Sequence, residues 1–269
     1  MRGDEFELPA RSCPSSYRPA PEVNLGEYID AGGVRTYYEV DGDGEPLVLL
    51  HGGLVTIETW AHQRAALGER YRVYLPERPG HGRTADVPGP ASYVHMAADT
   101  AAFMQALGVP AAHLVGWSDG GNVALELALS RPEMVRKMVL IGAAAHVDGA
   151  AASSKEWVES VTPESLPPFI REPYDRLSPD GPEHFPVVVE KHVNLWATEP
   201  RHELTELHTI TAPTLILIGD DDGVTVEHAA EMQRAIPDAQ LAVVPGADHG
   251  VMLDKPEIVN RLILDFLAE

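Results

Sequence analysis

Gly116-Trp117-Ser118-Asp119-Gly120-Gly121 stands between the apolar run HLVG, which ends at residue 116, and NVALELALS at residues 122–130. The first run reads as a short buried strand, and the second carries the apolar spacing of a helix, predicted over 121–130. A G-x-S-x-G segment between a strand and a helix makes a sharp turn. Its glycines permit close packing and push the serine side chain out at the end of the sheet. The following helix turns its first N–H groups and the positive end of its dipole toward any negative charge that develops there. Ser118 is therefore the candidate nucleophile.

A serine hydroxyl needs a base, and the base needs an anion to hold its tautomer. Of the twelve histidines, His249 sits in Pro245-Gly246-Ala247-Asp248-His249-Gly250, directly after the apolar run LAVV. A loop in that place can swing over the nucleophile. Asp220-Asp221-Asp222 follows the run TLILIG and supplies the anion, giving the chain order Ser, Asp, His. A fourth element, His51-Gly52-Gly53-Leu54, follows PLVLL. Glycine there lets backbone approach a ligand, so an N–H of this loop, with that of Asp119, can hold an oxyanion. Leu54 and Trp117, beside this loop and the nucleophile, are expected with Asp119 to line the substrate pocket.

Outward from these motifs the chain alternates. EYID, the turn Ala31-Gly32-Gly33 and VRTYYEV predict a β-hairpin. PLVLL, YRVYL, HLVG, KMVLIG, TLILIG and LAVV then predict strands, separated by helices over 60–67, 94–107, 121–130 and 227–235, with a last helix over 256–267. Strands alternating with helices imply a doubly wound, mostly parallel sheet. The alternation fails over 146–210, which holds Trp157, Pro163, Pro167, Pro168, Phe169, Tyr174, Phe185 and Trp196. That stretch is expected to be a helical lid inserted after the sixth strand, near the carboxyl ends where ligands bind. The core would then be 27–145 with 211–269. Residues 1–26, polar and proline-rich, are expected to form a flexible arm.

Composition narrows the function. The 269 residues hold 20 Lys and Arg against 41 Asp and Glu, a net charge of −21, which disfavours nucleic acid and anionic lipid. No apolar run approaches the roughly 18 residues that span a bilayer, and the first residues lack the apolar stretch of a signal peptide. A cytoplasmic protein is expected, monomeric or homodimeric, acting on a small molecule. The single cysteine, Cys13, excludes an intrachain disulfide and is read as inert. No metal or organic cofactor is implied, because His202-Glu203 with His208 has the wrong spacing for a zinc-protease motif.

With HGG at 51–53, Arg78-Pro79-Gly80-His81-Gly82-Arg83, GWSDGG at 116–121, GDDD at 219–222 and PGADHG at 245–250, the chain resembles the α/β-hydrolase superfamily from about Glu27 onward. The resemblance implies Asp222 as the acid, Gly53 and Asp119 as oxyanion donors, and a structural turn without catalytic role at 78–83. Within the superfamily GWSDGG looks most like the valacyclovir-hydrolase (biphenyl-hydrolase-like) group, although HGGLVT departs from that group's oxyanion loop. That likeness implies recognition of a substrate α-amino group by Asp119; otherwise its carboxylate merely favours the helix N-terminus. The implied activity is hydrolysis of a carboxylic ester through an acyl-enzyme. Lactone, amide or C–C bond hydrolysis by the same triad stays open. A non-catalytic binding protein on this fold would predict a lost triad member, and none is lost.

Overall fold

The computed structural model describes residues 26–269. The expected arm, apart from Gly26, and Cys13 lie outside the described residues. The hairpin forms from β1 (Glu27–Ala31) and β2 (Val34–Asp41), turned by Gly32 and Gly33 at φ +63° and +90°, a backbone that glycine adopts freely. There follow β3 (Glu45–Leu50), α1 (Ala61–Gly68), β4 (Tyr71–Pro76), α2 (Tyr93–Ala106), β5 (Ala112–Trp117), α3 (Asp119–Ser130) and β6 (Val135–Ile141). Three helices come next, α4 (Ala152–Ser160), α5 (Pro168–Leu177) and α6 (Phe185–Thr198). The chain ends with β7 (Thr214–Gly219), α7 (Val226–Ala235), β8 (Ala239–Val244), the one-turn α8 (Val251–Asp254) and α9 (Pro256–Ala268).

The eight strands form one sheet in the order β1-β2-β4-β3-β5-β6-β7-β8. Only β1–β2 and β2–β4 pair antiparallel; every other pair is parallel. This is the α/β-hydrolase fold. Successive residues of a strand point to opposite faces, and both faces are covered. Leu47 and Leu49 pack with Val73, Val139 and Leu217 toward α1 and α9, while Val48 and Leu50 pack with Leu114, Leu140 and Ile216 toward α2, α3 and α7. These side chains are nearly inaccessible, and truncating one such leucine to alanine typically costs about 2–5 kcal/mol.

The strand order reverses direction at β3, so the loops leaving β3 and β5 open side by side at a switch point, where ligands bind in open α/β sheets. Parallel pairing brings the carboxyl ends of β7 and β8 to the same edge.

Helix α3 starts two residues before the predicted 121. Gly120 and Gly121 lie inside its first turn, because a Cβ on Gly120 would collide with the Leu50 carbonyl oxygen and one on Gly121 would press on Ala143. Propensity places glycine before a helix; the crossing of α3 over β3 requires it within one. Helix α8 carries no sequence expectation.

Between β6 and β7 the helices α4 to α6 form an insertion with its own small apolar cluster of Leu54, Leu166, Tyr174, Phe185, Val188 and Val189. Its two legs meet in an antiparallel bridge between His146 and Arg201, and His202 holds Glu126 of α3 at 2.9 Å. Helix α4 buries none of its own residues. Its Trp157 stacks on Trp196 of α6 with ring centroids 5.4 Å apart. No helix among the described residues is long and apolar enough to cross a membrane.

Candidate active site

Ser118 sits between β5 and α3 with φ +55°, a left-handed backbone that a side chain disfavours. Its neighbours hold the turn: the Ser118 N–H donates to the Ile141 carbonyl at 2.8 Å, and the Ser118 carbonyl accepts from Gly121 N at 2.8 Å and Asn122 N at 3.0 Å.

His249 Nε2 lies 2.9 Å from Ser118 Oγ, and His249 Nδ1 lies 2.8 Å from Asp222 Oδ1. The structure therefore brings Ser118, His249 and Asp222 into line. Asp222 is fully enclosed while the His249 ring is 41% exposed. Asp222 Oδ1 also accepts from Val224 N at 3.1 Å, which fixes the carboxylate from behind. Burial works against its charge, but the His249 hydrogen bond and charge outweigh it and hold the Asp222 carboxyl below its ordinary value. In the same way burial opposes an imidazolium at His249, yet the bond and charge of Asp222 raise it above the usual histidine value. Asp220 instead accepts from Ala247 N at 3.2 Å, bracing the loop that carries His249, and Asp221 is exposed.

Gly53 packs against the Asp119 side chain, and its neighbour Gly52 lies beside Ser118. A Cβ on Gly53 would strike the Asp119 carboxylate and come within 2.8 Å of the Trp196 ring, so only glycine fits. The Leu54 N–H is already directed at His81 Nε2 at 3.0 Å, so it is not available to an oxyanion. Leu54 itself is left-handed, at φ +58°, and its side chain is buried in the apolar cluster of the insertion. Trp117 lies under the His249 loop, where its indole N–H donates to the His249 carbonyl at 2.8 Å.

The Asp119 side chain does more than face a helix N-terminus. Its Oδ1 accepts from Tyr93 Oη at 2.8 Å and from Trp196 Nε1 at 2.9 Å, tying α2 and α6 to the turn that carries Ser118. Burial and the neighbouring Asp119 charge push the Tyr93 hydroxyl well above its ordinary value, so it stays a donor. Asp119 Oδ2 is buried without a hydrogen bond and faces His192 Nε2, likewise unpartnered, at 3.9 Å. Tyr93, His81, His192 and Trp196 carried no sequence expectation for the site. The apolar spacing of α6, with Val188, Val189, His192 and Leu195 buried, marks an inner face but names no partner for it. Among the described residues, no group of three or more His, Cys, Asp or Glu side chains could hold a metal ion.

The sequence pattern of the alpha/beta hydrolase family matches residues 47–262, and the chain belongs to that family. At this coarse level it is a hydrolase. A RutD protein of Azorhizobium caulinodans, named for carbamate hydrolysis, is 30% identical over 263 residues, covering 90% of this chain and 98% of its own. The 2-hydroxy-6-oxo-6-phenylhexa-2,4-dienoate hydrolase of Burkholderia cepacia is 30% identical over 259 residues, covering 84% and 89%. Among solved structures, the meta-cleavage product hydrolase CumD of Pseudomonas fluorescens IP01 superposes with a TM-score of 0.78 at 26% identity, covering 90% and 97%. The biphenyl-type meta-cleavage hydrolases are thus among its relatives.

Proposed function

We propose that this hydrolase cleaves a carboxylic ester of a small molecule through an acyl-enzyme, with Ser118 as nucleophile, His249 as base and Asp222 as its orienting acid. The observation that carries the reading is the pair of contacts from His249, 2.9 Å to Ser118 Oγ and 2.8 Å to Asp222 Oδ1. As Ser118 Oγ attacks the carbonyl carbon, His249 Nε2 takes its proton and Asp222 stabilises the imidazolium. The N–H groups of Gly53 and Asp119 hold the oxyanion. His249 then returns the proton to the leaving alcohol, and a water activated by the same nitrogen releases the acid. The insertion serves as a lid over this centre, with Leu54 and Trp117 at its margin.

A second reading narrows the ester to one with an α-amino group, and the buried, unpartnered Asp119 Oδ2 favours it. A substrate ammonium would supply the donors that this oxygen lacks. The test is labelling by a fluorophosphonate probe, followed by turnover of aryl, lactone and aminoacyl esters. A carbamate and a meta-cleavage dienoate belong in the same panel, because relatives are named for those substrates. Labelling at Ser118 with ester turnover supports the reading. Turnover of the dienoate alone would replace it with C–C bond hydrolysis.

A further inference from the structure

His81 belongs to the 78–83 turn, to which the sequence assigns no chemistry, yet it touches the loop that carries Gly53. Its Nδ1 lies 2.9 Å from the Pro79 carbonyl oxygen, and its Nε2 lies 3.0 Å from the Leu54 N–H. A carbonyl oxygen only accepts, so Nδ1 carries the proton and Nε2 offers a bare lone pair. The ring is 1% exposed, and burial, reinforced by the nearby rings of His51 and His192 and by Arg78, keeps it neutral far below the ordinary histidine value. Its tautomer and charge are therefore those of a permanent acceptor.

What that acceptor holds is a strained piece of backbone. Leu54 sits at φ +58°, outside the range in which a leucine settles unaided. Directing the Leu54 N–H at His81 fixes the plane of the Gly53–Leu54 peptide, and the dihedrals of Gly53 then aim its own N–H. Glycine, which lacks a Cβ, would otherwise be free to turn. The same loop is braced from below by Arg78, whose guanidinium donates to the carbonyl oxygens of His51 and, at 3.0 Å, Gly52. The His81 ring is wedged between His51, with centroids 4.8 Å apart, and His192 of α6, at 4.9 Å edge to face.

We infer that His81 is a positioning residue for the oxyanion hole: by accepting the Leu54 N–H it locks the left-handed turn that aims the Gly53 N–H at the reacting carbonyl. This rests on the reading of Gly53 as an oxyanion donor in an ester hydrolase. The edge-to-face contact with His192 holds the His81 ring against α6, so the acceptor is fixed from both sides.

The test compares the wild type with His81→Phe, which keeps a ring without an acceptor, and His81→Gln, whose side-chain carbonyl can accept from Leu54. Each is assayed on a p-nitrophenyl ester and titrated with an aryl trifluoromethyl ketone, whose adduct with Ser118 bears an oxyanion. Small misplacement of a catalytic group costs up to about a hundredfold in rate. His81→Phe should therefore lower kcat about ten- to a hundredfold, leave KM within about twofold, and weaken the ketone by the same factor as kcat. His81→Gln should recover most of both. Wild-type ketone affinity in His81→Phe, or a glutamine no better than the phenylalanine, overturns the inference and makes His81 a packing residue. If neither variant folds, nitrogen-15 NMR of the wild type decides: a bare Nε2 coupled to the Leu54 amide supports the lock, and an Nε2–H tautomer overturns it. Failure of the wild type to turn over any ester overturns the functional reading and this inference together. Retained wild-type turnover with an unaffected His81→Phe overturns the inference alone.

Discussion

The indole N–H of Trp196 donates to the Asp119 carboxylate at 2.9 Å, joining the insertion to the residue after Ser118 across 77 positions of sequence. A hydrogen bond to a charged, buried acceptor is worth about 1.5–3 kcal/mol. Trp196→Phe keeps one aromatic ring, trims the contacts with Trp157 and His192 and removes the donor, leaving Tyr93 alone on Asp119 Oδ1. The variant should lose about 1–3 kcal/mol of unfolding free energy in a denaturant titration. An unchanged midpoint would show that Tyr93 alone satisfies the carboxylate.

Ser118→Ala should abolish ester turnover, by roughly 10⁴–10⁶ in rate, while the fold survives. Alanine carries the same left-handed backbone penalty as serine, so the melting temperature should move little. Loss of activity with a preserved melting transition is the expected pair of results. Full activity would remove Ser118 from the chemistry.

Asp222→Asn should cost roughly 10⁴ in kcat, against about tenfold or less for Asp220→Asn and Asp221→Asn. Only Asp222 meets His249 Nδ1, and Asp220 acts at one remove through the Ala247 amide. A larger loss in Asp221→Asn would mean that the acid is misassigned by one residue.

The pH profile carries a sign that follows from the same pair. Asp222 raises His249 above the ordinary histidine value against the opposing effect of burial. With His249 as the proposed base, its neutral form predominates above that raised pKa, and kcat/KM should climb with pH through a point higher than a free imidazole would give. Asp222→Asn removes the largest raising partner, leaving burial opposed only by the charges of Asp119 and Asp248, so the acid limb of its residual activity should shift to lower pH. A limb that stays in place would place the titration on another group.

Asp119→Ala separates two jobs of one side chain. The backbone N–H survives, so turnover of a simple ester should persist once the lost acceptor for Tyr93 and Trp196 is accounted for by a stability measurement. If Oδ2 receives a substrate ammonium, kcat/KM for an aminoacyl ester should fall about ten- to a hundredfold more than for the matching ester without the amino group. Equal losses on both would assign Asp119 wholly to the tie between α2, α6 and the Ser118 turn.

The strands were legible because each central one is buried on both faces. A run such as TLILIG at 214–219 leaves no polar position to confuse its period. The strand-turn-helix at Ser118 was legible from its glycines, and the sheet and family follow from the same segments. The left-handed Leu54 was not, since nothing in HGGL distinguishes a spent N–H from a free one. Nor were the partners of Asp119, because Tyr93 and Trp196 reach it only once α2 and α6 are packed. Proline inside α5 and at the starts of α5 and α6 blurs the insertion's periodicity further. Local pattern names the candidate groups; tertiary packing chooses what surrounds them.

Helix α4 encloses no residue of its own and leans on the rest of the insertion through the ring of Trp157. A segment that removes so little apolar area from water contributes little to global stability and can detach while the sheet stays intact. Its backbone amides should accordingly exchange with deuterated solvent orders of magnitude faster than those of α3, whose residues from Asp119 to Ala128 are all buried. Ser154 of α4 stands 2.8 Å from the position a Cβ on Gly223 would take, beside the loop that holds Asp222. The exchange rate of this one helix then reads how firmly the outer edge of the insertion holds to the Gly223 turn, with no chemical turnover needed.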